Sequence, residues 1–160
     1  YGRKNRIGME LPKRKPNRLQ FYDYKSPGYY FVTICTAGKT KLFWKSEQLM
    51  DGHPALSDAG MIVERCIQEI PLHYPCVQVL QYNVMPNHVH IILQIAEGNT
   101  ATLSKVVGQM KQAVSRTIGK SIWQKSYHDH VIRGEQDYLK IWNYVVYNHK
   151  KWKEDCFFEK

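Results

Sequence analysis

At 160 residues and 18.8 kDa the chain is the size of one domain, and its 43% apolar and 12% aromatic content excludes a disordered chain. The longest mostly apolar run, Val89–Ile95, falls far short of the roughly 20 residues a membrane-spanning helix needs. With 23 lysines and arginines against 14 acids, the net charge of +9 and pI near 9.4 favour a polyanionic partner over an acidic or membrane one, because cationic side chains release the counterions of a phosphate backbone.

In chain order, residues 1–24 form a basic arm within a single domain spanning 1–160. Arg3, Lys4, Arg6, Lys13, Arg14, Lys15 and Arg18 stand there against one acid, Glu10, and prolines keep the segment irregular. The arm shows no apolar face for a membrane and no apolar run of the kind a secretory signal carries. Tyr29–Thr36, β-branched and aromatic without a breaker, predicts a central strand, followed by a loop over 38–54. Ser57 is a good N-cap for a helix with Ala59, Val63, Cys66, Ile67 and Ile70 on one face, stopped by Pro71. Cys76–Val84 predicts a second strand, Met85-Pro86-Asn87 a turn, and His88–Ile95 a third strand. A second helix fits Thr102–Ile118, with Gly119 in the C-cap position. A short strand around 123–133 and a last helix from Glu135 to about Trp152 complete the chain.

The order β-α-β-β-α-β is that of an α+β, ferredoxin-like antiparallel sheet with helices packed on one face and an additional C-terminal helix. The four cysteines, Cys35, Cys66, Cys76 and Cys156, have no CxxC spacing, so reduced thiols are expected rather than a disulfide framework or a zinc site.

Strand side chains alternate, so Val89, Ile91, Leu93 and Ile95 share a core face, while His88, His90, Ile92 and Gln94 share the other. The two imidazoles stand roughly 6–7 Å apart at Cα, a spacing suited to one cation and equally compatible with plain structural histidines. In the last helix Leu139, Trp142 and Val146 read as the buried stripe, flanked by Tyr138 and Val145. Tyr144 and Asn148 then lie one above the other on the opposite side, with Lys140 and Lys151 beside them. A tyrosine ordinarily packs by its ring, in a core or on a surface, but one that points away from the stripe, among lysines and above an amide, fits a nucleophile that addresses a phosphate better.

Met85-Pro86-Asn87-His88-Val89-His90 resembles the MPNHVH signature of the REP-associated tyrosine transposases, which belong to the HUH superfamily of single-strand DNA nucleases. Tyr29–Thr36 resembles the family's first strand, Gly108–Ser115 its second-helix motif, and residues 123–133 the segment before its catalytic helix. Tyr144-Val145-Val146-Tyr147-Asn148 resembles the Tyr-Ile-x-x-Asn core of that helix. The resemblance runs in order from about Tyr22 to Trp152. One departure is His149 where the family usually has proline, which predicts a longer helix here.

The resemblance implies that Tyr144 is the nucleophile and that His88, His90 and Asn148 hold Mg²⁺ or Mn²⁺. It implies a metal-dependent endonuclease and strand transferase that cuts at or near single-stranded or hairpin DNA through a 5′-phosphotyrosine. It further implies a bacterial, cytoplasmic, nucleoid-associated protein, acting as monomer or homodimer. A phenol, with an ordinary pKa near 10, needs help in losing its proton, which the cation or Lys140 can give. Arg14, Lys15, Arg18, Lys111, His130, Arg133 and Lys140 are the DNA-contact candidates, and His130 fits a structural hydrogen-bonding role as well. Trp44, Trp123 and Tyr127 are aromatics able to stack on bases or to pack a core, and His53 and His73 read as surface histidines. Two other readings stand beside this one: a ferredoxin-like nucleic-acid-binding module that never cuts, and a metal-dependent phosphodiesterase that uses water.

Overall fold

A computed structural model describes residue 19 and residues 22–154, so Arg14, Lys15 and Arg18, like Cys156, lie outside the described residues. Four strands, β1 (Gly28–Cys35), β2 (Val77–Val84), β3 (His88–Ile95) and β4 (His128–Ile132), form one antiparallel sheet in the order β2-β3-β1-β4. The two central strands are the most apolar ones, as expected of strands covered on both faces. Helices α1 (Asp58–Gln68), α2 (Ile70–His73) and α3 (Leu103–Ile118) belong to one side of the sheet, and α4 (Glu135–Tyr147) covers the other.

The main core joins Val89, Ile91, Leu93 and Ile95 of β3 to Val63 and Ile67 of α1 and to Leu103, Val107, Met110 and Val114 of α3. Capping follows from local chemistry. Ser57 Oγ accepts from the Gly60 N–H, Thr102 accepts from the Lys105 N–H, and Gly119 ends α3 at φ 92°, in the left-handed region. Gly60 also permits a close approach, because a methyl there would collide with the Phe43 carbonyl. Helix α1 already ends at Gln68, ahead of the stop expected at Pro71, and Pro71 does not end the helical run. It sits in the first turn of α2, where its missing N–H costs nothing.

A smaller core lies under α4, made of Ile92, Ile132, Ile141 and Val145 with Phe31, Leu80, Tyr138 and Trp142 at its edge. The expected stripe of Leu139, Trp142 and Val146 is therefore turned by about one residue (~100°). Leu139 is half exposed, while Ile141, Val145 and Asn148 are buried. The departure at His149 does not lengthen the α-helix either. Hydrogen bonding tightens to a 3₁₀ turn over Asn148–Glu154, which swings Trp152 into the core beside Trp44. Lys151, at φ −113°, breaks the regular winding.

Candidate active site

Paired strands put opposite residues on one face, so register alone assembles the α4-side surface of the sheet. Asn83, His90, Thr33 and His128 form one cross-strand row over β2, β3, β1 and β4; Gln81, Ile92, Phe31 and His130 form the next. His88 follows His90 at the turn end of β3, opposite Cys35.

Both imidazoles of the pair are buried, and their Nε2 atoms lie 3.0 Å apart. His88 Nδ1 lies 2.7 Å from Asn87 Oδ1, and a carboxamide oxygen only accepts, so the proton sits on Nδ1 and Nε2 keeps its lone pair. His90 Nδ1 lies 2.8 Å from Thr33 Oγ1, a hydroxyl that either donates or accepts. With His88 Nε2 as acceptor, the 3.0 Å contact is a hydrogen bond donated by His90 Nε2–H, and Thr33 Oγ1 donates to His90 Nδ1; the same hydroxyl can turn to accept when a cation takes the place of that proton. Two ligand nitrogens at about 2.1 Å from an octahedral ion, at right angles, stand about 3.0 Å from each other. The observed separation meets that requirement.

Burial holds the His88 imidazole far below its ordinary pKa, from 6.5 down to about 3, so it is neutral at physiological pH. The consequence for stability has a definite sign. Above pH 6.5 neither folded nor unfolded chain carries this proton, and stability is full. As pH falls from 6.5 toward 3, the unfolded chain takes up a proton that the folded chain refuses. The metal-free protein is expected to lose up to about 1.4 kcal/mol per pH unit in that window. His149, also held low by burial and by the neighbouring His53, adds to the same trend. Urea melts across the window measure the slope, and a flat profile contradicts a neutral, buried His88.

Tyr144 does not point away from the sheet, as the expected stripe had it. It stands at the margin of the buried face, 42% exposed, its ring centroid 5.2 Å from that of His90 and 6.1 Å from Phe31. Asn148, one turn further, is buried, and its Nδ2 has no hydrogen-bond partner among the described residues. Amide nitrogen and oxygen exchange places by a simple flip, so this unspent position suits an oxygen ligand to a cation. Tyr144 and Asn148 line a groove of about 700 Å³ together with Lys140, Asn143, Lys150 and Lys151, and Lys150 stands 5.7 Å over the Tyr147 ring. Among the described residues no three His, Cys, Asp or Glu side chains cluster as a metal site.

The remaining candidates divide. Lys140 shares the groove with Tyr144. His130 Nε2 lies 2.8 Å from Asp137 Oδ2, which also accepts the Arg133 N–H at 3.0 Å, so this trio fastens the first turn of α4 to the end of β4. Those contacts hold the Asp137 carboxyl below the usual carboxylate range, the Arg133 N–H foremost. Lys111 belongs to α3 across the sheet, and its Nζ donates to the Gln124 carbonyl at 2.8 Å. Trp44, Trp123 and Tyr127 are buried; Trp44 Nε1 donates to the Val84 carbonyl, and Tyr127 pairs its hydroxyl with Ser104. These three pack the core, whereas the exposed aromatics among the described residues are Tyr29, Tyr144 and Tyr147. His73 and His53 are both exposed, as expected, and His53 stacks on His149 at 5.7 Å.

Sequence reasoning missed Asn87, Thr33 and Asn83. Asn83 Nδ2 donates to the Val145 carbonyl at 2.8 Å, tying α4 to β2 beside the histidine row. A lone polar residue inside an apolar central strand was the available signal for Thr33. Thr33→Val removes the hydroxyl that fixes His90 and is expected to weaken Mn²⁺ affinity by about 10–100-fold with the fold retained. Isothermal titration of metal into the folded variant reads this; unchanged affinity contradicts the role.

The chain is similar to several known proteins. A family model described as "Transposase IS200 like" matches residues 55–148. The chain is 31% identical to an uncharacterised protein of Haemophilus influenzae, over 89% of this chain and 91% of that one. It is 23% identical to a second protein of that organism, named as a REP-associated tyrosine transposase, over 79% and 72% of the two chains. The solved structure of a REP-associated tyrosine transposase bound to a REP hairpin shares the fold, with a TM-score of 0.65 and 21% identity over 84% of this chain and 74% of that one.

Proposed function

The chain belongs to the IS200-like transposase family, and on that premise we propose that it is a metal-dependent single-strand DNA endonuclease and strand transferase whose nucleophile is Tyr144. The observation that carries the reading is the Tyr144 ring lying 5.2 Å from His90, whose Nε2 is 3.0 Å from that of His88. A nucleophile, a pair of buried imidazoles and an enclosed amide share one face of the sheet.

His88, His90 and Asn148 would hold the ion, Mg²⁺ or Mn²⁺, and the imidazole donors favour Mn²⁺ of the two. When bound, it supplies Lewis-acid polarisation of the scissile phosphate and leaves positions open for substrate oxygens. The protein's own groups do the rest. Lys140, Lys150 and Lys151 draw the phosphate backbone into the groove and neutralise it. Asn83 and the His130–Asp137–Arg133 anchor hold the two ends of α4 against the sheet, so that Tyr144 addresses phosphorus from a fixed place. Tyr144 Oη loses its proton and forms the new P–O bond, and the bond to the 3′ oxygen breaks. That oxygen takes up a proton, leaving a 3′-OH and a 5′-phosphotyrosine. The reverse attack by a 3′-OH rejoins strands without an external energy source.

The DNA partner we propose is a hairpin with a single-stranded flank, a substrate form supported by the hairpin bound to the structural relative. The ends of the product test the chemistry. A polymerase should extend the freed 3′ end, while the 5′ end of the other fragment stays blocked by protein. A free 5′-phosphate with no blocked end would favour water as the nucleophile.

A further inference from the structure

A second cavity lies on the same face of the sheet, toward the start of α4. The row beyond Phe31 pairs Gln94, Tyr29 and Ile132 across β3, β1 and β4. With Leu80, Glu135 and Tyr138 these side chains line a cleft of about 470 Å³, within the range of small-molecule sites. Its walls are apolar and aromatic: Tyr29 is 40% exposed and meets Tyr138 edge to face at 5.6 Å.

Gln94 supplies the polar edge. Its Nε2 reaches the Tyr29 hydroxyl only at 3.5 Å, and an amide carries two N–H donors and an acceptor oxygen, so most of its capacity is left for a ligand. The charge of the lining is equally informative. It holds one carboxylate, Glu135, and no lysine or arginine, whereas the groove around Tyr144 sets Lys140, Lys150 and Lys151 against one carboxylate, Glu154. A phosphate belongs in the second and is repelled from the first. From Tyr138 to Tyr144 is roughly 9 Å along α4 at 1.5 Å per residue, a short step along an extended strand. Helix α4 and the turn that follows it thus offer a net cationic place for backbone and an aromatic place without cations for whatever hangs from it.

We propose that this cleft is a base pocket: it receives one unpaired adenine of the substrate strand, a short step from the scissile phosphate, stacked against Tyr29 or Tyr138 and read by Gln94. The proposal rests on the function proposed above, since the strand must already lie in the lysine groove. Gln94 presents the paired acceptor and donor that match adenine's amine and ring nitrogen, and Glu135 accepts from an exocyclic amine, which thymine lacks.

The test uses binding, so that it stands apart from cleavage. The Tyr144→Phe protein is titrated with hairpin DNA whose single-stranded flank carries 2-aminopurine, a fluorescent purine, at each position in turn. One position should quench on binding, and an abasic site there should weaken binding about tenfold, or about 1.4 kcal/mol. Gln94→Ala should bind intact and abasic strands alike, and Gln94→Glu, which only accepts, should shift preference from adenine to cytosine. Strands that bind with no quenched position, or Gln94 variants with the base preference of the parent, overturn the pocket. A quenched, Gln94-dependent position in a protein that never cleaves leaves the pocket standing and removes the endonuclease reading.

Discussion

Tyr144→Phe is expected to abolish cleavage of single-stranded DNA and the covalent adduct together, a loss of at least about 10³-fold in rate, while leaving DNA affinity within about threefold. The phenyl ring preserves the edge contacts with Phe31 and His90, so α4 keeps its place and the change removes one oxygen only. Lys140, Lys150 and Lys151 remain to hold the backbone. Gel assays of cleavage and a filter-binding titration on the same preparation separate the two effects. Retained cleavage in this variant would mean that water, or another side chain, attacks the phosphate.

His90→Ala is expected to produce a loss of similar size by a different route. It removes one of the two Nε2 atoms that stand 3.0 Å apart and takes away the partner of Thr33. Mn²⁺ binding, read by electron paramagnetic resonance of the free ion, should weaken by at least about 100-fold. At fixed metal, cleavage should fall by roughly 10³-fold, equivalent to several kcal/mol of charge stabilisation. Raising Mn²⁺ should restore part of the activity of His90→Ala and none of that of Tyr144→Phe. Equal behaviour of the two variants toward added metal would contradict a ligand role for His90.

Much of the fold was legible because its signals are local or strictly periodic. Strand β3 begins and ends at the residues the alternation picks out, His88 and Ile95, and Ser57, Thr102 and Gly119 cap their helices as their side chains and backbone freedom dictate. The phase of α4 was not legible. Leu139, Ile141, Trp142, Val145 and Val146 spread apolar character around most of the helix, so two stripes about one residue apart compete. The choice between them is made by the sheet, whose small patch of Phe31, Ile92 and Ile132 takes Ile141 and Val145 and leaves Leu139 in solvent.

That rotation matters for the site. With Ile141 and Val145 inward, Tyr144 comes to the rim of the sheet beside His90 instead of facing away, and Asn148 is enclosed. The histidine pair was legible from spacing, but the hydroxyl that meets His90 was not, because Thr33 lies 57 residues away in the chain and only register brings the two opposite. The same non-locality hid Asn83, whose amide reaches Val145 across 62 residues. Aromatic residues were the least legible: burial depends on which loops cover them, and Trp44, Trp123 and Tyr127 go to the core while Tyr29 and Tyr147 stay exposed.

The most direct test of the central claim is to incubate the protein with Mn²⁺ and hairpin DNA bearing a single-stranded flank, denature it, and locate any attached nucleotide by peptide mass spectrometry. A nucleotide linked through a 5′-phosphate to the peptide carrying Tyr144 is the expected result, absent when a chelator is present. A nucleotide on a different residue, or efficient cleavage with no residue modified, would contradict it.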